Sequence, residues 1–469
     1  MLTLRKDQRE LMDAASAQMK SGHRRVLIQA PTGFGKTVLT SSMMGTSAQR
    51  GFHSIFIVHR RELLAQASAA FTSNGVVHGV ITAGVEPDFS QLVHVATIGS
   101  LVKYLDRMTR PRFVCWDECH HLPAPGWTSL QEAFDRAFHI GLSATPRRLD
   151  GQGLRAHFDV LVCGPSVRQL QRRGHLARCR HYAPSSIDLS GVRTRLGDYH
   201  RGDLVAAVGR STIDNDAVNA YQRFAPGKRA LLFATSIEQS EHTVDVFNFA
   251  GIPAEHVDGK TSPTLRDAAI ARFASGDTQL LSNVDLFGEG FDVPAIEAVL
   301  MLRPTKSLGL YLQMIGRALR VAPGKDHAIV VDLVGNHSRH GLVEDDRAWS
   351  LDAPPAAAED HSRKLSVCAA CSAVTLSGPF CNVCGAPPKP RRPTDVDIWS
   401  TLVSQPGLAH RLRGMSYSAA ARWADDDQKT RIVAMARSLK PGWIWHRLRE
   451  IAESRDPDFV IEDNRGEVS

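Results

Sequence analysis

A parallel-sheet α/β fold in two lobes is the class this 469-residue chain predicts, and three observations predict it. Short apolar runs alternate with amphipathic stretches over residues 1 to 350, a glycine-rich segment follows the first run, and an acidic pair closes a later one. Strands covered on both faces read as continuous apolar runs, and parallel neighbours need crossover helices between them.

Val26-Leu27-Ile28 reads as the first buried strand. Ala30-Pro31-Thr32-Gly33-Phe34-Gly35-Lys36-Thr37 follows it and reads as a phosphate-binding loop. Gly33 and Gly35 let the backbone curl so that successive N–H groups face phosphate oxygens. Lys36 would reach the β- and γ-phosphates, and the Thr37 hydroxyl would ligate Mg²⁺. Pro31, Thr32 and Phe34 complete the nucleotide-binding set. A helix from about Thr37 to Met44 would place its positive end under the same phosphates. Ala30 stands where such loops carry a first glycine, a mild change because the tightest turns come later.

Phe113-Val114-Cys115-Trp116 is the next buried run, and Asp117-Glu118 sits at its carboxyl end, where α/β sheets bind ligands. Asp117 would hold Mg²⁺ through its water shell, while Glu118 would orient and deprotonate an attacking water. Ser143-Ala144-Thr145 ends a third apolar segment. Loop and acidic pair together imply NTP hydrolysis.

In this order the blocks resemble those of superfamily 2 helicases and translocases of the DExH branch, over residues 1 to about 348. The resemblance implies two tandem RecA-like lobes that use ATP and Mg²⁺. Leu4-Arg5-Lys6-Asp7-Gln8 looks like the adenine-reading block, with Arg5 and Gln8 at the base. Val58-His59-Arg60-Arg61-Glu62-Leu63 and Val95-Ala96-Thr97-Ile98-Gly99-Ser100 resemble strand-contacting blocks, which places Arg60 and Thr97 near the nucleic-acid backbone. Leu231-Leu232-Phe233-Ala234-Thr235 would open the second lobe, with Thr235 on the nucleic acid as well. Ser143 and Thr145 would couple hydrolysis to strand movement, and His120 would link the ATP site to Gln313. Gly288-Glu289-Gly290-Phe291-Asp292-Val293-Pro294 looks like the block that senses nucleotide and strand, through Gly290 and Asp292. Gln313-Met314-Ile315-Gly316-Arg317-Ala318-Leu319-Arg320 is similar to an arginine-finger helix. On a continuous helix Gln313, Arg317 and Arg320 share one face, suited to a γ-phosphate across a cleft.

Asp117-Glu118-Cys119-His120 and the Gln313–Arg320 block differ from the patterns of DEAD-box RNA helicases. With Arg303-Pro304-Thr305 and a cysteine-rich extension, the ensemble looks like the bacterial RadD-like branch of DNA-repair helicases and phage-borne relatives. That resemblance implies an ATP-dependent DNA helicase or translocase in repair, recombination or replication, with DNA favoured over RNA. An RNA-remodelling ATPase and a nucleotide-switched binding module stay open as alternatives.

Net charge is +7, with 56 Lys and Arg against 49 Asp and Glu, which favours a polyanionic partner. The first residues lack the apolar core of a signal peptide. No apolar run approaches the roughly 20 residues that cross a bilayer. The expectation is a monomeric cytoplasmic protein without membrane contact, associated with the nucleoid in a bacterium or phage-infected cell. No acidic or histidine cluster outside the ATPase blocks is suited to strand cleavage, so no nuclease is expected.

Eight cysteines fall into two groups. Cys115, Cys119, Cys163 and Cys179 read as small buried hydrophobes. Cys368-x₂-Cys371-x₉-Cys381-x₂-Cys384 has the spacing of two knuckles around Zn²⁺, the alternative being disulfides in a secreted domain. Four thiolates leave no open coordination position, so the site is structural or recognitional.

The expected order is lobe one over 1–165, lobe two over 166–350, a linker over 351–363 and a zinc ribbon over 364–386. A basic proline-rich linker over 387–393 and a mainly helical accessory domain over 394–469 complete it. Within the last, Asp426 to Leu439 suits a helix with Ile432, Met435, Ala436 and Leu439 on one face. Lys440, Trp443, Trp445, His446, Arg447 and Arg449 then belong either to a small core or to a surface that stacks bases and binds phosphate. A protein partner through ribbon or tail stays open too.

Overall fold

The computed structural model describes residues 3–122, 124–147, 152–184, 187–195, 197–209, 213–286, 296–352 and 365–387, and in the tail 412, 415–424, 429–430, 432–433 and 447. Seven strands build the first sheet: β1 Arg25–Gln29, β2 Ser54–Val58, β3 Gly79–Ile81, β4 Val93–Thr97, β5 Phe113–Trp116, β6 Phe138–Ser143 and β7 Val160–Cys163. All neighbours are parallel, in the order β3-β4-β2-β5-β6-β1-β7. Every residue of β2 and β4 is buried, including the polar Ser54, His94 and Thr97 among their apolar side chains.

The strand order matters for function. β6 lies between β1 and β5, with Gln29 opposite Ser143 and Trp116 opposite Gly141. Three separate stretches of sequence therefore end side by side. Ala30 N–H donates to the Ser143 carbonyl at 3.0 Å, and Asp117 N–H to that of Ile57 at 3.0 Å. These bonds carry the ladder one residue past the strands and fix where the two loops start.

The second sheet holds β8 Arg178–Tyr182, β11 Ala230–Phe233, β12 Ala254–Val257, β13 Leu280–Asn283, β14 Ala298–Met301 and β15 His327–Asp332. Its order is β12-β13-β11-β14-β15-β8, again parallel throughout. A two-residue hairpin, β9 Thr194–Arg195 and β10 Asp198–Tyr199, lies between β8 and β11 in sequence. The fold is thus two tandem RecA-like lobes.

Two later segments fold back on the lobes. Leu351, beyond the second sheet, is buried with Trp116, Leu122, Trp127, Leu154 and Phe158 in the core of the first lobe. Its carbonyl accepts from the N–H groups of Leu154 at 2.7 Å and Arg155 at 3.1 Å, and the Arg155 guanidinium clasps Asp352 with bonds of 3.1 and 3.0 Å. Residues 365–387 form an antiparallel pair, β16 Leu365–Val367 with β17 Val374–Leu376. This pair seats on the end of β8 through a Tyr182–Ala373 bridge, with Ala183 N–H donating to Ser372 O at 2.9 Å and Arg223 to Ala370 O at 2.8 Å.

Residues 388–469 form a compact unit of their own. Its described helix, Tyr417–Trp423, is capped by Ser416, whose Oγ accepts from Ala419 N–H at 3.2 Å. Thr430, Ile432 and Val433 are buried, on the stretch expected to be an amphipathic helix. Met435, Ala436, Leu439, Lys440, Trp443, Trp445, His446 and Arg449 lie outside the described residues. Among the described residues, no helix is long and apolar enough to cross a membrane.

Candidate nucleotide site and interlobe cleft

The loop after β1 curls as its sequence requires. Gly33 and Gly35 take φ of +84° and +90°, the left-handed region that side chains with a Cβ avoid. Space adds a second constraint, because a Cβ on Gly35 would lie 2.7 Å from Gln8 Nε2. The helix that follows runs Lys36–Gln49, longer than the sequence pattern suggests, and Lys36 Nζ donates to Ala30 O at 3.2 Å across the loop. Thr37 is its second residue.

Phe34 is fully buried, and its carbonyl accepts from Arg5 Nη2 at 2.7 Å and Gln8 Nε2 at 3.1 Å. Gln8 Oε1 in turn accepts from Arg5 N–H at 3.1 Å, and the Arg5 guanidinium lies 5.5 Å from the Phe34 ring centre. The expected base-reading pair and the phosphate loop are one hydrogen-bonded piece. The sequence pattern did not reveal this link.

Glu118 carries φ of +46° and ψ of +53°, left-handed geometry that costs a non-glycine residue on the order of 1–3 kcal/mol. Such strain persists only where surrounding packing imposes it. His120 Nδ1 stands 3.5 Å from Glu118 Oε2 and 3.5 Å from Ser143 Oγ. Ser143 Oγ also accepts from Thr145 N–H at 3.1 Å. His120 therefore sits between the acidic pair and the loop after β6. Burial raises the thiols of Cys115 and Cys119 far above the usual range, so both are packing residues. Cys163, expected to be buried, is exposed at the end of the edge strand β7.

One expectation needs correction. The helix carrying Gln313 runs only Leu308–Gly316 with Arg317 as its still helical C-cap (φ −62°, ψ −39°), so Arg317 keeps the face of Gln313 while Arg320 lies beyond the helix. From Arg317 to Leu319 the bonds tighten to i→i−3 spacing: Arg317 N–H to Met314 O, Ala318 N–H to Ile315 O and Leu319 N–H to Gly316 O. Tighter winding brings Arg320 nearer three residues per turn than 3.6. Lys325 fastens this turn. Its half-buried ammonium donates to the carbonyls of Ala318, of Arg320 at 2.8 Å and of Ile296 at 2.6 Å, holding the chain just beyond the helix. Burial lowers that ammonium to about 8.

This turn meets the phosphate loop of the other lobe. A Cβ on Gly316 would lie 2.6 Å from Thr32 Cβ, and one on Gly33 would lie 2.8 Å from Leu176 Cδ2 and 3.8 Å from Arg320 Cγ. A Cβ on Gly309 would likewise reach within 2.9 Å of Thr145 Oγ1. Gln313 and Arg317 are buried, and burial lowers the Arg320 guanidinium to about 10, leaving it cationic at neutral pH. Pro31 and Thr32 line a cavity of about 140 Å³ with Gly316, Leu319, Arg347 and Trp349. Gly316→Ala is helix-compatible, yet its methyl must displace Thr32. It is expected to hold the lobes apart and lower ATP turnover roughly tenfold or more, since small misplacements at a reacting centre are costly. Steady-state kinetics with an unchanged melting temperature checks this.

The proposed strand contacts divide. Arg60 is exposed and lines a second interlobe cavity of about 220 Å³ with Asp285, Arg303, Leu310 and Gln313. Thr97 and Thr235 are buried, their hydroxyls donating to Ile81 O at 3.5 Å and Leu302 O at 3.1 Å. Thr235 also borders a groove of about 510 Å³ with Ser236, Gln239 and His242. Gly290 and Asp292 lie outside the described residues.

The four late cysteines converge, with all sulfurs within 4.8 Å of one another; Cys368 and Cys384 are 3.6 Å apart, and Cys371 and Cys381 are 3.7 Å apart. Backbone N–H groups of Cys371 and Ala370 face the Cys368 sulfur and lower its thiol to about 6. Val383 N–H donates to Cys381 Sγ at 3.4 Å, and Gly385 at φ +73° closes the second knuckle. Sulfur spacing and amide donors both fit a thiolate-bound divalent metal.

Comparison with known proteins agrees with this architecture. The family described as "Type III restriction enzyme, res subunit" matches residues 1–148, and "Helicase conserved C-terminal domain" matches residues 215–322. A 51.5 kDa protein of Lactococcus phage (isolate 7-9) is 35% identical over 364 residues, covering 76% of this chain and 77% of its own. IRC3 of Saccharomyces cerevisiae, named as an ATP-dependent helicase, is 29% identical over 360 residues, covering 71% of this chain and 52% of its own. The chain thus spans about half of the yeast protein. The Sulfurisphaera tokodaii protein named DNA 3'-5' translocase XPB2 is 22% identical over 375 residues, covering 70% of this chain and 82% of its own. Two parallel-sheet lobes, meeting with the phosphate loop of one against the arginine turn of the other, carry helicase blocks in family order; the chain belongs to the superfamily 2 helicases and is an ATP-dependent hydrolase.

Proposed function

We propose that the chain is a DNA-dependent translocase or helicase in which ATP hydrolysis opens and closes the interlobe cleft. The observation that carries this reading is the seat of the Gly316–Arg320 turn on Thr32 and Gly33. A γ-phosphate held by Lys36 would meet Arg320 from the opposite lobe, so closure depends on intact ATP. Thr37 and Asp117 are the residues to hold Mg²⁺, which neutralises charge on the phosphates. Glu118, fixed in its strained conformation, orients and deprotonates the water. Proton loss from that water and Arg320's charge then act together on the transferring phosphoryl group. Once the γ-phosphate leaves, Arg320 loses its partner in the first lobe, and Thr145 against Gly309 carries the opening into the second lobe. Arg60, with Thr97 and Thr235 behind the cleft walls, serves the strand backbone. The Cys368, Cys371, Cys381 and Cys384 set holds a structural Zn²⁺.

DNA is favoured over RNA because the acidic and arginine blocks depart from the DEAD-box patterns. A role in repair, recombination or replication follows from the resemblance to the RadD-like branch. The test is steady-state ATP hydrolysis with single-stranded DNA, duplex, fork or RNA, by wild type and Glu118→Gln. The expected result is strong stimulation by DNA and a loss of about 10²–10⁴ in the variant. Stimulation by RNA alone overturns the DNA assignment, and nucleotide-dependent binding with negligible turnover would identify a switch.

A further inference from the structure

Between Arg60 and Glu118 lies a line of rings that hydrolysis itself does not use. His59, one residue before Arg60, has its ring centre 4.8 Å from His121 and 6.4 Å from Trp127. His121 is 4.3 Å from His120 and 6.0 Å from Trp127. His120 Nδ1 then stands 3.5 Å from Glu118 Oε2. Trp127 packs on Trp116 at 5.9 Å, the last residue of β5 before the acidic pair. The line is continuous from the block expected to grip the strand to the carboxylate expected to activate water.

Its geometry leaves little slack. Glu118 is held left-handed, and Cys119–His121 forms a single 3₁₀ turn closed by His121 N–H to Glu118 O at 3.1 Å. A shift of the His121 ring therefore acts on the same short turn that aims Glu118. Arg60 is exposed to the 220 Å³ cavity between the lobes, whereas His59, adjacent in the chain, points into the ring line. A strand phosphate pulling on Arg60 must move His59 with it. Close-packed interiors pass such displacements on rather than absorb them.

We propose that His59 and His121 are positioning residues that transmit strand contact at Arg60 to Glu118, making hydrolysis conditional on bound nucleic acid. The inference rests on the proposed role of Arg60 and deepens the proposed function. Each acts through Glu118, by way of the turn that carries His120 and His121.

The experiment uses full-length His59→Ala, His121→Ala, the double variant and His59→Phe. It measures basal ATP turnover, turnover with saturating single-stranded DNA, affinity for that DNA and melting temperature. Expected are basal turnover and DNA affinity within about threefold of wild type, and a stimulation factor reduced about tenfold or more, within the range of ordinary coupling between sites. The double variant should lose no more than either single one, because both cut the same line. His59→Phe, which keeps a ring, should retain most of the stimulation. Undiminished stimulation in the alanine variants overturns the proposal, as does a parallel fall of basal turnover and melting temperature, which marks a packing role alone. A wild type that no nucleic acid stimulates overturns the proposed function together with this inference. Loss confined to the variants leaves both standing.

Discussion

Alanine at Arg320 is expected to leave ATP bound and almost unhydrolysed, with turnover reduced on the order of 10³-fold or more. The reason lies in timing and placement. Arg320 Cγ lies 3.8 Å from where a Cβ on Gly33 would stand, although the residue belongs to the second lobe, and in the proposed mechanism it meets the phosphates as the lobes close. In that mechanism its charge would act where negative charge moves during phosphoryl transfer, so removing it should cost rate far more than affinity. Burial has already lowered the guanidinium to about 10, so a water-free setting strengthens each contact it makes. Arg320→Lys keeps charge but loses the planar fork, and should recover only part of the rate. Equilibrium binding of a fluorescent ATP analogue beside steady-state turnover checks both. Near-normal hydrolysis in Arg320→Ala removes it from the mechanism and leaves Arg317 as the candidate finger.

The second large effect concerns the cysteine ribbon. Residues 365–387 bury few apolar side chains, chiefly Ala373, Val374 and Cys381, and their two strands have three residues each. A hairpin that small cannot hold itself in water. Metal binding contributes about 10–16 kcal/mol in comparable peptides, enough to decide whether it folds. Full-length protein should therefore carry one zinc per chain. Chelation, or Cys371→Ser, should expose residues 365–387 to rapid hydrogen exchange while both RecA-like lobes stay protected. Exchange should also rise at Ala183, whose N–H donates to Ser372 O, because the ribbon covers the end of β8. Purified protein without metal, or unchanged exchange after chelation, would rule the zinc site out.

What could be read from sequence was decided by how local each cause is. The phosphate loop declares itself because backbone curvature, ammonium and hydroxyl lie within eight consecutive residues. β5 was legible to its ends, Phe113 to Trp116, since a strand covered on both faces has no polar positions. β8 was not, because Arg178-Cys179-Arg180-His181-Tyr182 belongs to a sheet edge where alternate side chains face outward. The arginine block shows the limit of periodicity. Its spacing fits a continuous helix, but the helix stops at Gly316 and Lys325, five residues beyond Arg320, fastens the tighter turn that follows. Long-range fastenings, such as Arg5 and Gln8 to Phe34 O, leave no pattern in the chain and appear only once it is folded.

Leu351 has a consequence for how the protein is made. Every strand of the first sheet has left the ribosome by Cys163, yet the core beside Trp116 and Phe158 still lacks one side chain. That side chain arrives only after the whole second sheet has been synthesised. Until then the first lobe lacks the side chain that covers Leu154, so its core is completed by a residue made after the second lobe. A chain cut just short of residue 351 would keep every ATPase block and still leave an unfilled hole in the lobe that binds the phosphates.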